Sequence, residues 1–483
     1  MTLTDTSRPH LLVVGAGLAG LTAANRALEL GLRVSLLERF TDTGHVCASR
    51  TNGGVFHVGF RTVTADPKEL FQVVRAANDH FGRPDVAQAL ADHAGRSVDW
   101  LRGLGTVFTA MQPDQGWKDT VLAPLGFHER TDMAWQGLGA DRLITALEQR
   151  LVARGGELVR GARAKALLLQ SGRVRGVRIE RASGPAELFA DAVLLADGGF
   201  EGNAEMVRRF ITPHPENLLL RGCESGLGDG MRMAEAVGAK LIGMQAFYGH
   251  VLSADSLHRE GLSPFPFLEF LATAGMIVDG SGTRFMDETL GGHIMSNTLA
   301  RHGDGLGHVV FDQAMWEGIG QHFFCPPNPN LVRAGGTLHR ADSIAELATL
   351  IKVPAAQLQA QVDAVNAEVS ARASQQDRAQ REGMTVFARG RYQHEAFAHA
   401  PYYAAPACAA LTSTMGGIEI DGRSRVLDQQ GEAIAGLYAA GSCTGGVVGG
   451  PAVGYIGGLI KALVFGLIGA EDFAASRGGD HVG

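Results

Sequence analysis

The sequence predicts an α/β protein: a Rossmann-like dinucleotide-binding domain with a separate α+β cap domain inserted into it. Three observations carry that expectation. The apolar run His10-Leu11-Leu12-Val13-Val14 leads into Gly15-Ala16-Gly17-Leu18-Ala19-Gly20, and a helical pattern follows. A second apolar run, Arg33 to Leu37, ends on Glu38. Two further strand-to-glycine endings lie far downstream, at Ala192–Phe200 and Gly436–Ser442, so both chain ends contribute to one nucleotide site. The division predicted is 1–245 with 413–483 for the nucleotide domain and 246–412 for the insert.

Each part of the first motif has a physical task. Gly15 permits the tight turn, Gly17 lets the backbone approach a pyrophosphate, and Gly20 lets the helix lie close on the strand. The helix N-terminus offers N–H groups to phosphates, and Glu38 is placed to take a ribose hydroxyl. A glycine-rich turn in another kind of α/β protein is the competing reading of these glycines alone.

The remaining elements follow in order. Residues 18–30 are the first helix. Gly44-His45-Val46-Cys47-Ala48-Ser49-Arg50-Thr51-Asn52-Gly53-Gly54 is a polar loop placed to wrap a cofactor. Apolar spacing predicts helices over 66–81, 84–103 and 139–153. Residues 105–137, with Trp117 and Trp135, are loops at the mouth of a site. Residues 157–196 alternate as a β-meander, and Asp229 opens a helix from Met231 to Val237. The cap carries Phe247, Tyr248, His250, Phe265, Phe267 and Phe270. It also carries helices Ser343–Ile351, with a Ser343/Glu346 capping box, and Pro354–Arg372. Residues 374–395 are a loop. Gly449 to Gly458 is a glycine-rich loop before the closing helix, Leu459 to Ala475.

Composition bounds the function. The chain has 483 residues and a formal net charge of −7, which argues against a nucleic-acid partner. Hydrophobic residues are 45%, an ordinary globular balance, yet no stretch reads as a membrane span. The first strand starts so early that no signal peptide is expected. Cys47, Cys223, Cys325, Cys408 and Cys443 are far apart with no C-x-x-C, so no zinc or cluster motif is expected. Reduced thiols and a cytoplasmic location fit that pattern.

At this point the motifs carry a likeness. The glycines 15–20 with Glu38, Ala196-Asp197-Gly198-Gly199-Phe200, Gly228-Asp229-Gly230 and Thr283-Arg284-Phe285-Met286-Asp287-Glu288 stand in order. Pro401-Tyr402-Tyr403-Ala404, Thr414-Met415-Gly416-Gly417 and Gly436-Leu437-Tyr438-Ala439-Ala440-Gly441 complete the series. The chain resembles the flavoprotein superfamily of fumarate reductases, succinate dehydrogenases and 3-ketosteroid Δ1-dehydrogenases. The resemblance implies FAD and a mobile cap closing over its isoalloxazine. It places the cofactor against Gly15, Gly17, Ala19, Gly20, Glu38, Arg39, Ala48, Ser49, Asn52, Gly53, Gly54, Ala164, Asp197, Gly198, Asp229, Gly441, Ser442, Gly457, Leu459 and Ile460. Cys47 falls where succinate dehydrogenases carry a flavin-bonded histidine. A cysteinyl-flavin is chemically conceivable there, and a small apolar residue is the plainer reading.

Departures from the family point to the reaction. The catalytic arginine of fumarate reductases looks like Gly292 here, next to His293. Its relay acid and relay arginine look like Leu268 and Leu271, the clamping histidine is Ser413, and the late-loop arginine is missing. No other arginine stands out as a replacement. The ketosteroid dehydrogenases' carbonyl-gripping tyrosine would fall on Ala452, with Tyr455 as the natural substitute. Candidate catalytic residues are therefore Tyr455, Tyr248, His293, His250 and Ser413. The backbone N–H groups of Gly454 and Gly457 are further candidates for polarising a carbonyl. Desaturation of a ketone needs a base at the α-carbon, a donor at the developing enolate and a hydride acceptor. The expectation is an FAD-dependent dehydrogenase introducing C=C α,β to a carbonyl in a small, cyclic ketone or keto acid, with an unidentified electron acceptor. The alternative is an ene-reductase, and a flavin-binding protein without activity ranks last.

Overall fold

The computed structural model describes residues 8–111, 118–125, 135–263, 267–321, 329–374 and 393–478. Trp117, Phe265, Cys325 and most of the loop expected at 374–395 lie outside the described residues.

The nucleotide unit forms where the glycines predict it. Strand His10–Val14 pairs in parallel with Arg33–Leu37 on one side and with Ala192–Leu195 on the other. The sheet runs Arg425–Leu427, Ala433–Ala439, Ala192–Leu195, His10–Val14, Arg33–Leu37, Glu157–Val159. All but the first pairing are parallel, and the central strands His10–Val14 and Ala192–Leu195 are buried along their whole length. The C-terminal Ala433–Ala439 lies beside Ala192–Leu195, which brings the two chain ends into one layer. Helix Leu18–Glu29 packs against the closing helix Gly458–Gly478 over this sheet.

The expected meander at 157–196 is resolved into two roles. Glu157–Val159 extends the parallel sheet, and Arg163–Gln170, Arg173–Arg181 and Gly184–Phe189 form a separate antiparallel sheet. Ala192–Leu195 then returns to the main layer. Apolar alternation marks strands but not which sheet they join.

A second sheet is organised on the 13-residue strand Tyr402–Thr414. Leu306–Asp312 and His339–Ala341 pair with its first part, and Phe247–Ser253 pairs antiparallel with its second. Leu219–Leu220 adds a parallel edge, so this sheet also takes in residues upstream of 246. A second apolar core lies on this sheet, built from Phe270, Leu271, Ile277, Val309 and Phe311 among others. Helices Ile344–Ile351 and Ala355–Ser374 cover it. Ser343 caps the first by accepting from the Glu346 N–H at 3.2 Å. Glu346 reaches back to the N–H of Asp342, one residue earlier than the expected box. Among the described residues no helix is long and apolar enough to cross a membrane.

One buried charge fixes the cofactor loop. Arg50, 1% exposed, donates from Nη2 to Glu148 at 3.2 Å and from Nη1 to Asp141 and Thr145, all on helix Gly139–Ala153. An arginine taken out of water is stabilised only by such partners, and removing it strands their charges. Arg50→Ala is therefore expected to lower unfolding stability by about 3–5 kcal/mol. Denaturant titration of the two proteins measures the difference.

Candidate active site

A cavity of about 400 Å³ runs from the glycine turn to the second sheet. Gly15, Gly17, Ala19, Glu38, Arg39, Ala48, Ser49, Asn52, Gly53, Ala164, Asp197, Gly198, Asp229, Gly441, Ser442 and Leu459 all line it. Gly20, Gly54, Gly457 and Ile460 are not among its lining residues. Gly20 instead brings the helix onto the turn, since a Cβ there would stand 1.9 Å from the Gly15 carbonyl oxygen.

The lining fits a dinucleotide. At Gly15, φ is +103° and a Cβ would meet the Ala196 carbonyl oxygen at 2.5 Å. At Gly441, φ is +81° and a Cβ would press on Ala19 at 2.9 Å. Only glycine gives a cradle this close. Glu38 accepts from the Ala16 and Phe40 N–H groups, both at 3.0 Å, so it ties the turn while facing the cavity. The Ser49 hydroxyl oxygen accepts from the Leu18 N–H at 3.0 Å and thereby fastens the loop to the helix N-terminus. Asp229 is held by Arg163 through two bonds of 2.7 and 2.9 Å. Asp197 accepts from Gly230 through Oδ2, while its Oδ1 is buried without a hydrogen-bond partner among the described residues. Burial raises this carboxyl to about 6. An acceptor left open in a cavity wall is a place for a ligand hydroxyl or N–H.

The other end of the cavity is aromatic and titratable. Tyr248 and Ser413 are register partners on Phe247–Ser253 and Tyr402–Thr414, so they share one face of the sheet. Gly249 pairs next with Leu411, so Thr412 is an extra residue that bulges the longer strand. A Cβ on Gly249, opposite the bulge, would meet the Ala410 carbonyl oxygen at 2.4 Å, so this position takes glycine. Tyr248, His250, Ser413 and Tyr455 all line the cavity. Tyr248 stacks on Tyr455 with ring centroids 4.1 Å apart. The Tyr455 hydroxyl oxygen accepts from the N–H of Gly458, the first residue of the closing helix, at 3.2 Å.

Behind Tyr248 lies a hydrogen-bonded series. His250 Nε2 is 3.3 Å from the Tyr248 hydroxyl, and its Nδ1 is 2.7 Å from Glu269 Oε1. Glu269 also accepts from the Val251 N–H at 2.8 Å. With Nδ1–H turned to the carboxylate, Nε2 is the acceptor for the tyrosine O–H. Burial holds His250 well below its ordinary value and raises Glu269 to about 7. His293 does not line the cavity. Its Nδ1–H donates to the Gly249 carbonyl at 2.9 Å, and Asn297, one turn on, bonds the Phe247 carbonyl at 2.8 Å. These two side chains fasten helix Gly292–Arg301 to the strand, and burial lowers His293 to about 4.

Two expectations need correction, and Glu269 is an addition to the sequence reading. Leu268 and Leu271 are fully buried in the apolar core, and the acid of the site is Glu269 between them. A lone carboxylate inside Phe267-Leu268-Glu269-Phe270-Leu271-Ala272 is itself a signal, because acids are almost never fully buried without a partner. An arginine is present as well: Arg221 lines the cavity beside Tyr248, His250 and Phe267. Its segment offers no apolar periodicity to mark it. The Gly454 N–H is taken by the Gly449 carbonyl at 2.9 Å and is not left for a substrate. His57, Lys118 and Trp135 also line the cavity, which puts part of the 105–137 segment at the site. By contrast Tyr403 and Tyr438 bond Gln313 and Asp472 and are structural.

The chain matches the FAD binding domain family over residues 10–454. It belongs to that family. It is an FAD-dependent oxidoreductase of the α/β type expected from its sequence. It is 26% identical to NADH:acrylate oxidoreductase of Vibrio harveyi, over 95% of this chain and 50% of that protein. The chain thus spans half the length of that relative. It is 28% identical to 4-oxocyclohexanecarboxylate 2-dehydrogenase of Sinomonas cyclohexanicum, over 75% of this chain and 65% of that one. Its fold matches that of 3-ketosteroid-Δ4-(5α)-dehydrogenase from Rhodococcus jostii RHA1, with a TM-score of 0.69 at 21% identity over 98% of both chains.

Burial raises the Cys47 thiol to about 12, so it stays protonated and a poor nucleophile toward a flavin ring. Acid precipitation of the flavin-loaded protein is expected to leave all the flavin in the supernatant; colour retained in the washed pellet contradicts this. Gly15→Ala is expected to abolish flavin retention, read as the flavin-to-protein ratio after gel filtration.

Proposed function

We propose that this chain desaturates a small cyclic ketone or keto acid, introducing C=C α,β to the carbonyl. The observation that carries the reading is the buried series Tyr248–His250–Glu269 opening on the cavity that also holds the glycine cradle.

An α-proton leaves readily only if the base that takes it is then stabilised. Tyr248, raised above its ordinary value by burial, does not ionise alone. It takes the α-proton as it passes its own to His250 Nε2, which burial keeps neutral and able to accept. The imidazolium so formed lies 2.7 Å from the Glu269 carboxylate, which balances its charge. Because the Tyr455 oxygen accepts from the Gly458 N–H, its own hydrogen is directed elsewhere and can meet a developing enolate oxygen. Ser413 supplies a second hydroxyl on the same face. FAD, when bound, supplies the two-electron acceptor for hydride from the β-carbon.

The name of the Sinomonas relative supports this reading, since it describes a dehydrogenase of a cyclic keto acid. Position 292 supports it too. A Cβ there would stand 2.6 Å from Glu269 Oε1, so the glycine leaves room for the carboxylate that backs His250, where the resemblance would place an arginine. The second reading, reduction of an activated C=C by the reverse route, is favoured by the name of the Vibrio relative. The four described cysteines are free and buried, in keeping with a cytoplasmic setting.

Anaerobic mixing of the oxidised protein with cyclic ketones and keto acids is expected to bleach the flavin absorbance. No bleaching by any of them, with turnover of an enoate by the reduced protein, selects the second reading. Tyr248→Phe and Tyr455→Phe are each expected to slow bleaching by about 10²-fold or more. Glu269 must be ionised to balance the imidazolium, so the bleaching rate is expected to rise with pH through about 7. Glu269→Gln is expected to flatten that rise, as stopped-flow measurement across pH 5.5–8.5 reads directly.

A further inference from the structure

Arg221 is built into the cavity wall with some care. Its backbone N–H donates to the Leu411 carbonyl at 2.8 Å, and the next residue, Gly222, has no room for a side chain because a Cβ would stand 1.9 Å from the Thr412 carbonyl oxygen. The arginine therefore leaves the strand edge at a fixed point. Its Nη1 donates to the Thr412 hydroxyl at 2.8 Å, which sets the plane of the guanidinium. The guanidinium carbon is 5.1 Å from the Phe267 ring centroid, and Phe267 stacks on His250 at 3.9 Å. Arg221, Phe267 and His250 thus form one column, and Tyr248 and Ser413 complete the same wall. A guanidinium keeps its charge even where burial lowers its proton affinity, as it does here. The nearby acid, Glu269, is engaged by His250 and the Val251 N–H.

We propose that Arg221 receives a carboxylate of the substrate in a forked, two-bond contact, which makes the substrate a keto acid and not a neutral ketone. The proposal rests on the desaturase reading for the word "substrate", but the recognition of a carboxylate is separable from it. Thr412 orients the fork and Phe267 supplies the plane it lies against. The acid group is then held on the wall that carries Tyr248, so it sets which ring carbon faces the base.

The test is equilibrium binding to the oxidised, flavin-loaded protein, read by perturbation of the flavin spectrum and by calorimetry. The probes are cyclohexanecarboxylate and its uncharged amide, which have no ketone and are not turned over by desaturation beside one. The carboxylate is expected to bind at least about 30-fold more tightly than the amide. In Arg221→Ala and Arg221→Gln the two are expected to bind within about threefold of each other, with the flavin-to-protein ratio unchanged. Arg221→Lys is expected to restore part of the preference, since a lysine keeps the charge without the fork. Equal binding of the two probes to the unaltered protein overturns the proposal. So does a carboxylate preference that survives in both neutral variants, or a loss of flavin from them, which would assign Arg221 to the cofactor. A preference that follows Arg221 in a protein whose flavin no keto acid bleaches leaves the carboxylate site standing and removes the desaturase.

Discussion

The site depends on one strand pairing, that of Phe247–Ser253 with Tyr402–Thr414, and on the bulge within it. Side chains on a strand alternate between faces, so Tyr248 and its partner Ser413 face the cavity while Phe247 is turned into the core of the nucleotide domain. The bulge lies in the longer strand, where Thr412 is the extra residue, so Thr412 and Ser413 both reach the cavity, while Tyr248 and His250, two residues apart, share a face by ordinary alternation. Three separate constraints hold that geometry: the missing side chain of Gly249, the His293 bond to its carbonyl, and the Asn297 bonds to Phe247. Each acts on backbone, so the positions of Tyr248 and His250 are fixed by main-chain contacts and not by their own packing alone.

The same strand joins the two cores. Tyr402–Thr414 runs from the second core, where Tyr403 packs, to the first, where Leu411 packs, and Thr412 and Ser413 reach the cavity between. A ligand lying there touches the glycine cradle of one unit and the aromatic wall of the other. The glycine cradle is a feature of the nucleotide half, and the side chains of the second sheet give the other end of the cavity its own chemistry. Fold alone is consistent with many reactions, and the side chains at the wall separate them.

How much of this was legible in the sequence follows from range. The glycine turn, the acid-ended strand and the helices are local patterns, so Gly15, Glu38 and helix 84–103 stand where periodicity and turn chemistry put them. Tyr248, His250, Ser413 and Tyr455 were legible as chemistry-bearing residues in aligned positions, and they do meet at one cavity. Their arrangement was not legible, because it rests on a register between residues more than 150 positions apart and on a bulge with no sequence mark beyond Gly249. Arg221 was missed for the same reason: it reaches the site through an edge strand of two residues, Leu219–Leu220. Glu269 was passed over because it sits in an apolar run. A helical turn moves neighbouring residues by about 100°, so the leucines on either side go into the core while the glutamate turns to His250.

The surroundings of Glu269 bear on how charge is held at this wall. Here the glycine at 292 leaves space that the Glu269 carboxylate fills, and the adjacent histidine is held neutral by burial. A proton on that imidazole would lie 2.7 Å from the Glu269 carboxylate, so the pair balances a charge that burial disfavours on the histidine alone. Unpaired charge inside a low-dielectric wall is costly, which ties the protonation of the two side chains together. The cation that remains at the wall, Arg221, is planar and forked, suited to holding an anion and too basic to act as the acid itself.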